Sequence, residues 1–206
     1  MKQPPRVIVL EGLDYSGKST LAGTVVTWLQ AFGRDVVCFR DPGSTLLAER
    51  IRAIVKDGTI PCSPESQALM FMAARLSLSA LIQEAQAEKE CDVVIDRWWY
   101  STWAYQAAQG VSETLIESIS REMVPVKVDL ALYLDVSPDI QVERMGVATG
   151  RNLNDRFDSA TLSFRVNVRQ RYNTMVERGW LARVNADQSA GMVLRSVTDC
   201  LLPLIA

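Results

Sequence analysis

No histidine occurs among the 206 residues of this chain. That absence removes nucleophile systems built on an imidazole base, Ser-His-Asp and Cys-His alike, together with histidine-based zinc sites. Cysteine is sparse, and Cys38, Cys62, Cys91 and Cys200 show no C-x-x-C spacing. Cys38 and Cys91 sit in or beside apolar strand-like runs, where a reduced, buried thiol is expected. No unbroken apolar run approaches the ~20 residues of a membrane span. The opening Met1-Lys-Gln-Pro-Pro-Arg6 does not read as a signal peptide. A cytoplasmic protein with structural cysteines is therefore expected. Nor does either sign of charge dominate: 22 Lys and Arg face 24 Asp and Glu, a net −2. That balance argues against an extended basic surface for duplex nucleic acid while leaving room for a local basic pocket.

What is present is ordinary globular material, 48% hydrophobic and 22% charged, enough for one domain spanning 1–206 with a sizeable core. Its organising stretch is Arg6-Val-Ile-Val-Leu-Glu-Gly-Leu-Asp-Tyr-Ser-Gly-Lys-Ser-Thr20. Val7 to Leu10 reads as a strand buried on both faces. It runs into Gly12-x-x-x-x-Gly17-Lys18-Ser19, a phosphate-binding P-loop pattern, and a helix follows from Lys18. Glycines let consecutive backbone N–H groups turn toward a phosphate, and the helix N-terminus adds its dipole. Lys18 would reach the β- and γ-phosphates, and the Ser19 hydroxyl would ligate Mg²⁺. Phosphoryl transfer needs positioning, metal and cationic charge, so it survives the lack of histidine.

Along the chain, strands alternate with helices. Lys18 to Phe32 predicts a helix stopped by Gly33, and Asp35 to Arg40 a second strand ending at the Pro42-Gly43 turn. A helix follows from Ser44 to Val55, and Ser63-Pro64 starts another that runs to about Glu88. On that helix Leu69, Met72, Leu76 and Ala80 suit the core. Phe71 and Arg75 project side by side on another face, either as a half-buried Phe with a snorkelling Arg or as a pair that stacks on a base and bonds its edge. Asp92 to Asp96 is a third strand, ending in Asp96-Arg97 where ligands lie in open α/β sheets. The aromatic helix from Trp98 to Gln109 carries Ser101, Thr102, Tyr105 and Gln106, and its Trp98, Trp99 and Trp103 read as packing residues. Ser112 to Met123 is a further helix, Val128 to Asp135 a fourth strand, Ser137-Pro138 a helix start and Leu181 to Val184 the last strand. The expected fold is a three-layer α/β/α domain with a five-stranded parallel sheet and right-handed crossovers.

One segment departs from the neutral charge balance. From Arg144 to Arg171 there are six arginines against only Asp155 and Asp158. A solvated helix face would account for some of them. Flanking glycines and a loop position suit instead a mobile lid, over 146–158, that brings arginine to a polyphosphate.

Together these stretches resemble the thymidylate (dTMP) kinase family of P-loop nucleoside monophosphate kinases over nearly the whole chain. Leu10-Glu-Gly-Leu-Asp-Tyr-Ser-Gly-Lys-Ser-Thr20 matches its P-loop, and Arg40-Asp-Pro-Gly-Ser-Thr45 resembles its R-E-P-G-G-T. Leu69-Met-Phe-Met-Ala-Ala-Arg75 resembles L-x-F-x-A-x-R. Asp96-Arg97 through Ser101, Ala104, Tyr105 and Gln106 resembles D-R-x-x-x-S-x-x-A-Y-Q, and Arg151 to Arg156 resembles the lid R-G-x-L-D-R.

The resemblance implies ATP-dependent phosphorylation of dTMP to dTDP. On the donor side it implies that Gly12, Leu13, Asp14, Tyr15, Ser16, Gly17, Lys18, Ser19 and Thr20 hold ATP, with Arg144, Asn185 and Ala186, and that Ser19 and Asp96 place Mg²⁺. On the acceptor side Arg40 and Arg97 would clamp the dTMP phosphate. Phe71 would stack on thymine, Arg75 would bond its exocyclic oxygen, and Ser101, Thr102 and Gln106 would complete the pocket. Tyr105 would crowd the sugar 2′ position, and Asp14 would approach the 3′-hydroxyl and the metal water. No arginine lies between Gly12 and Lys18, so transition-state charge would be met by Arg151 and Arg156 of the lid. Asp41, Ser44, Trp98, Ala107-Ala108, Asn152 and Leu153 depart from the family pattern, leaving dUMP or a 5-modified form as an alternative acceptor. A polynucleotide-acting kinase and a non-catalytic nucleotide switch are the remaining alternatives. The family habit is a homodimer, without nucleic acid or membrane as partner.

Overall fold

The computed structural model describes residues 4–147, 155–157 and 160–205. Most of the expected lid, including Arg151, therefore lies outside the described residues. β1 (Val7–Gly12) is buried at every position because it is flanked on both sides, by β3 (Asp92–Asp96) and β4 (Leu130–Asp135). β2 (Val36–Arg40) and β5 (Ala182–Asn185) complete a parallel sheet of order β2-β3-β1-β4-β5. The register sets Leu10 and Arg40 both opposite Asp96, and Asn185 opposite Asp135. Strand carboxyl ends from four elements thus open on one crevice, beside the point where the chain order reverses across β1.

Helices α1 (Lys18–Ala31) and α8 (Ala190–Ile205) cover one face. On the other lie α3 (Pro64–Lys89), α4 (Trp99–Ala107), α5 (Glu113–Met123) and α7 (Leu162–Glu177), with α2 (Leu46–Lys56) packed on α3. The remaining helix, α6 (Pro138–Val147), leads out of β4. This is the expected three-layer α/β/α arrangement. Side-chain caps set several helix starts: Thr45 for α2, Ser63 ahead of Pro64 for α3, Ser112 for α5 and Thr161 for α7. Trp98 and Trp103 are fully buried, in keeping with packing roles.

Three expectations need correction. On α3 the buried stripe is Phe71, Ala74, Arg75, Leu78 and Ile82, whereas Leu69 is 60% exposed, Ala80 is exposed and only Met72 of the expected core set is buried. Of the two readings of Arg75, the snorkelling one fails: the side chain is buried, and Asp41 at 2.7 Å neutralises it inside. The same helix is long and apolar enough to cross a membrane by length and composition. Its centre carries this buried ion pair and it packs on α2 and α4, so its apolar content serves a core. Cys91 is buried as expected but Cys38 is exposed, because β2 is an edge strand. All four cysteines are free.

Candidate active site

The loop after β1 is shaped by backbone conformations that a side chain resists. Gly12 has φ 147°, and a Cβ there would lie 2.7 Å from Leu134 O, so the close approach of β1 to β4 requires glycine. Gly17, at φ 93°, begins α1. Lys18 is buried and folds back, donating from Nζ to Leu13 O at 2.7 Å and more weakly to Ser16 Oγ at 3.4 Å. Burial lowers its pKa to about 8, with help from the Arg97 charge and against the attraction of Asp14, Asp96 and Glu11. Across the loop, Gln141 Nε2 donates to Asp14 O at 3.0 Å and Arg144 Nη2 to Ala186 O at 2.8 Å. These α6 side chains hold the P-loop backbone and the loop after β5 to one frame. Within that second loop Ala186 is buried, and Asn185 Oδ1 accepts from Asp187 N at 2.9 Å.

Ser19 Oγ donates to Asp96 Oδ2 at 2.5 Å. The other carboxylate oxygen, Asp96 Oδ1, is buried without a hydrogen-bond partner among the described residues. An orphaned carboxylate oxygen beside a hydroxyl, next to a phosphate loop, is a donor set that fits Mg²⁺ shared with a nucleotide.

Arg97 lies at the centre. Its own backbone has φ 70°, and its guanidinium donates to Gly12 O (2.8 Å), Ser101 Oγ (3.0 Å) and Asp14 Oδ1 (2.7 Å). For Asp14, burial pushes the pKa up, but Arg97 and Lys18 outweigh it and bring the carboxyl to about 2. Tyr105 OH donates to Asp14 Oδ2 at 3.3 Å, and the Arg97 guanidinium lies 5.4 Å over the Tyr105 ring. Beneath Arg97 is Glu11, fully buried, accepting from Trp98 N, Ser101 N, Ser101 Oγ and Tyr172 OH. Burial raises its pKa against the pull of Arg97. Glu11 thereby supplies the acceptor that α4, with no side-chain cap of its own, needs at its N-terminus.

Beside this centre opens a cleft lined among others by Asp14, Asp41, Arg52, Lys56, Phe71, Arg75, Arg97, Ser101, Thr102, Tyr105, Gln106, Asp155 and Phe157. Its polar end is built around Arg75, which donates to Asp41 Oδ2 at 2.7 Å and to Thr102 Oγ1 at 2.9 Å. Arg75 Nη1 and Gln106 Oε1 are buried with no partner among the described residues. Phe71, Phe157 and Tyr105 form an aromatic wall, with Phe157 6.3 Å from Phe71 and 5.8 Å from Tyr105 between ring centroids.

The structure therefore brings together Asp14, Phe71, Arg75, Arg97, Ser101, Thr102, Tyr105 and Gln106 as the sequence suggested. It does not bring Arg40 into the cleft. Arg40 Nη2 instead pairs with Glu49 at 2.8 Å on an exposed surface, and Arg52, one turn along α2, lines the cleft in its place. Arg52 donates to Pro42 O at 3.2 Å and has no carboxylate in ion-pair contact among the described residues. Arg156 is also placed unexpectedly. Its guanidinium donates to Val55 O, Asp57 O and Ile60 O, and its backbone N to Lys56 O, so here it caps the end of α2. Asp155 beside it pairs with Lys56 at 2.5 Å.

Sequence reading missed Glu11, Arg52, Lys56, Gln67 and Phe157. Glu11 lay inside the quoted motif, one residue past the apolar run Val7 to Leu10, and was given no role there. Arg52 and Lys56 are four apart on one helix face, and Gln67 precedes Phe71 by the same interval as Phe71 precedes Arg75. That spacing was the available signal.

The family model described as Thymidylate kinase matches residues 10–197. The chain is 34% identical over 203 residues to a thymidylate kinase of Buchnera aphidicola subsp. Baizongia pistaciae (strain Bp), covering 96% of this chain and 94% of that one. It is 36% identical over 194 residues to that of Jannaschia sp. (strain CCS1), covering 91% and 92%. With the enzyme of Dinoroseobacter shibae (strain DSM 16493 / NCIMB 14021 / DFL 12) the identity is 37% over 191 residues, covering 91% and 88%.

Proposed function

The chain belongs to the thymidylate kinase family, and from that premise we propose that it transfers the γ-phosphoryl group of ATP to dTMP, giving dTDP and ADP. The observation that carries the reading is a pair of buried atoms on two cleft-lining residues, the donor Arg75 Nη1 and the acceptor Gln106 Oε1, that have no partner among the described residues. Thymine offers their complements, an O4 acceptor beside an N3–H donor. Cytosine presents the opposite polarity at both positions, so it would leave buried groups unpaired. Phe71 supplies the stacking face. At the other end Arg97 and Arg52 face the acceptor phosphate, and Arg40 joins them only on releasing Glu49. Lys18 and the loop amides hold the donor phosphates. Ser19 and Asp96 would hold Mg²⁺, which would neutralise charge on the donor phosphates.

Transition-state charge is met from the lid by Arg151. Arg156 contributes there only if the lid's movement frees it from the α2 carbonyls. Asp14, held as a carboxylate by Arg97, lines the cleft with Tyr105, and in this reading the two would face the sugar, Tyr105 excluding a 2′-hydroxyl. Uracil shares the O4 and N3–H pattern, so dUMP is the second acceptor; a filled methyl pocket is worth about 1–3 kcal/mol. We place the enzyme in the cytoplasm as a homodimer, joined through the α3–α5 face where Leu69 and Leu115 are 60% and 50% exposed. ADP release with Mg-ATP and dTMP, dUMP, dCMP, dAMP or dGMP tests the reaction. Turnover with dTMP well above dCMP is expected; no dTMP-dependent turnover sinks the proposal.

A further inference from the structure

Gln67 touches neither the P-loop nor the cleft, yet it is 1% exposed and its amide is bonded at both ends. Its Nε2 donates to Cys62 O at 3.1 Å, and its Oε1 accepts from Gln106 Nε2 at 3.2 Å. The direction of this relay is forced from one end. A backbone carbonyl only accepts, so the Gln67 nitrogen must face Cys62. The Gln67 oxygen then faces α4, which obliges Gln106 to present its nitrogen. Gln106 lines the cleft, and what the relay leaves over is its oxygen, the atom that is buried without a partner among the described residues.

We infer that Gln67 is a positioning residue for base recognition: its fixed amide orients Gln106 so that the cleft accepts a hydrogen bond from pyrimidine N3–H and rejects a pyrimidine with a bare N3. The inference rests on the proposed dTMP site and deepens it. Reversing Gln106 alone would set two N–H groups of Gln106 and the cleft's base in conflict with the relay, since Gln67 Oε1 would then meet Gln106 Oε1. Reversing both amides would set Gln67 Oε1 against Cys62 O. Either reversal buries two acceptors against each other, which the unmodified chain avoids. Gln67 itself is held by the start of α3, where its N–H bonds Ser63 O at 2.9 Å and the Ser63 side chain accepts from Ser66 N at 3.1 Å. The orientation is thus anchored to a capped helix N-terminus rather than to a loop.

The test uses the full chain with Gln67→Leu, Gln67→Glu and Gln106→Leu, reading kcat and KM for dTMP and the inhibition constant of dCMP against dTMP. Gln67→Leu removes the acceptor that holds Gln106. Its KM for dTMP is expected to rise about tenfold with kcat within about threefold, and the dTMP-over-dCMP preference to narrow on the order of tenfold. Gln67→Glu keeps an acceptor toward Gln106 and, as the neutral acid that this buried site favours, a hydroxyl that donates to Cys62 O in place of the amide, so in that form it is expected to keep the preference. In a Gln106→Leu background, Gln67→Leu should add no further loss of preference. An unchanged preference in folded Gln67→Leu overturns the inference, as does a further loss of preference when Gln67→Leu is added to Gln106→Leu. If Gln67→Leu melts too low to assay, Gln67→Asn, whose shorter arm cannot span both partners, carries the same expectation. Failure of the underlying site reading looks different: wild-type protein without dTMP turnover, or Gln106→Leu with an unchanged KM for dTMP.

Discussion

Ser101 Oγ donates to Glu11 Oε2 at 2.6 Å, tying a fully buried acid of β1 to the first turn of α4. The same hydroxyl accepts from Arg97 Nη1 at 3.0 Å, so the acid holds the central arginine through one intermediary. Glu11→Gln replaces an acceptor by a donor inside this network. We expect a loss of about 1–3 kcal/mol in stability, seen as a fall of several degrees in Tm. We also expect kcat/KM for dTMP to drop by about tenfold or more as Arg97 loses its alignment. Unchanged kinetics with a lowered Tm would reduce Glu11 to a purely structural role.

Arg52 and Arg40 separate by the same logic. Arg52 lines the cleft without a carboxylate in ion-pair contact among the described residues, and burial together with repulsion from Arg40 and Arg97 lowers its pKa, so an incoming phosphate relieves it. Arg52→Ala should raise KM for dTMP by on the order of tenfold or more, while Arg40→Ala, which releases an exposed pair with Glu49, should change it far less. Steady-state kinetics at saturating Mg-ATP decide between them. The reverse ranking would restore Arg40 as the principal phosphate clamp.

The two lid arginines should also differ. Arg151→Ala is expected to lower kcat on the order of a thousandfold with small changes in either KM. Arg156→Ala removes three bonds to carbonyls around the α2 terminus. Hydrogen exchange should quicken at residues 55–60 and 155–157, and KM for dTMP should rise because Asp155 and Phe157 line the acceptor cleft. A pure kcat effect in Arg156→Ala, with no change in exchange, would assign it to the transition state instead.

Lys18 predicts a pH dependence of donor binding. Its free-state pKa is about 8, below the ordinary lysine value, because its charge is buried. Phosphates favour the charged form, so binding takes up a proton once the free amine has lost one. Affinity for Mg-ADP should therefore be flat below the free-state pKa and weaken as pH rises through it. Calorimetry in buffers of differing ionisation enthalpy, between about pH 7 and about pH 9.5, measures both the affinity and the proton uptake. Affinity that stays level across that window contradicts the shift.

Much of the fold was legible because its signals are local. Val7 to Leu10 could only be an interior strand, Ser63-Pro64 could only open a helix, and the glycines at 12 and 17 bend the backbone whatever surrounds them. The P-loop, the strand-end Asp96-Arg97 and the Phe71–Arg75 pair followed from covalent spacing along one element. Spacing says which side chains share a face, however, and not which partner each one meets. Arg40 and Arg52 both belong to the neighbourhood of the cleft; Glu49, near both, forms its ion pair with Arg40, and Arg52 is the one that lines the cleft. Spacing left Arg75 either snorkelling or aimed at a base; Asp41, thirty-four positions away, neutralises it in the core. Arg156 found carbonyls left open at the end of α2, and Gln67 found Gln106 across α3 and α4. The chain by itself determined a parallel α/β domain that captures a nucleotide phosphate, because backbone conformation and periodicity are properties of neighbours in sequence. Only the tertiary structure decided which cations stay available to the substrate and which polar atoms remain unpaired, because electrostatic and hydrogen-bond partners are chosen among groups that folding alone brings together.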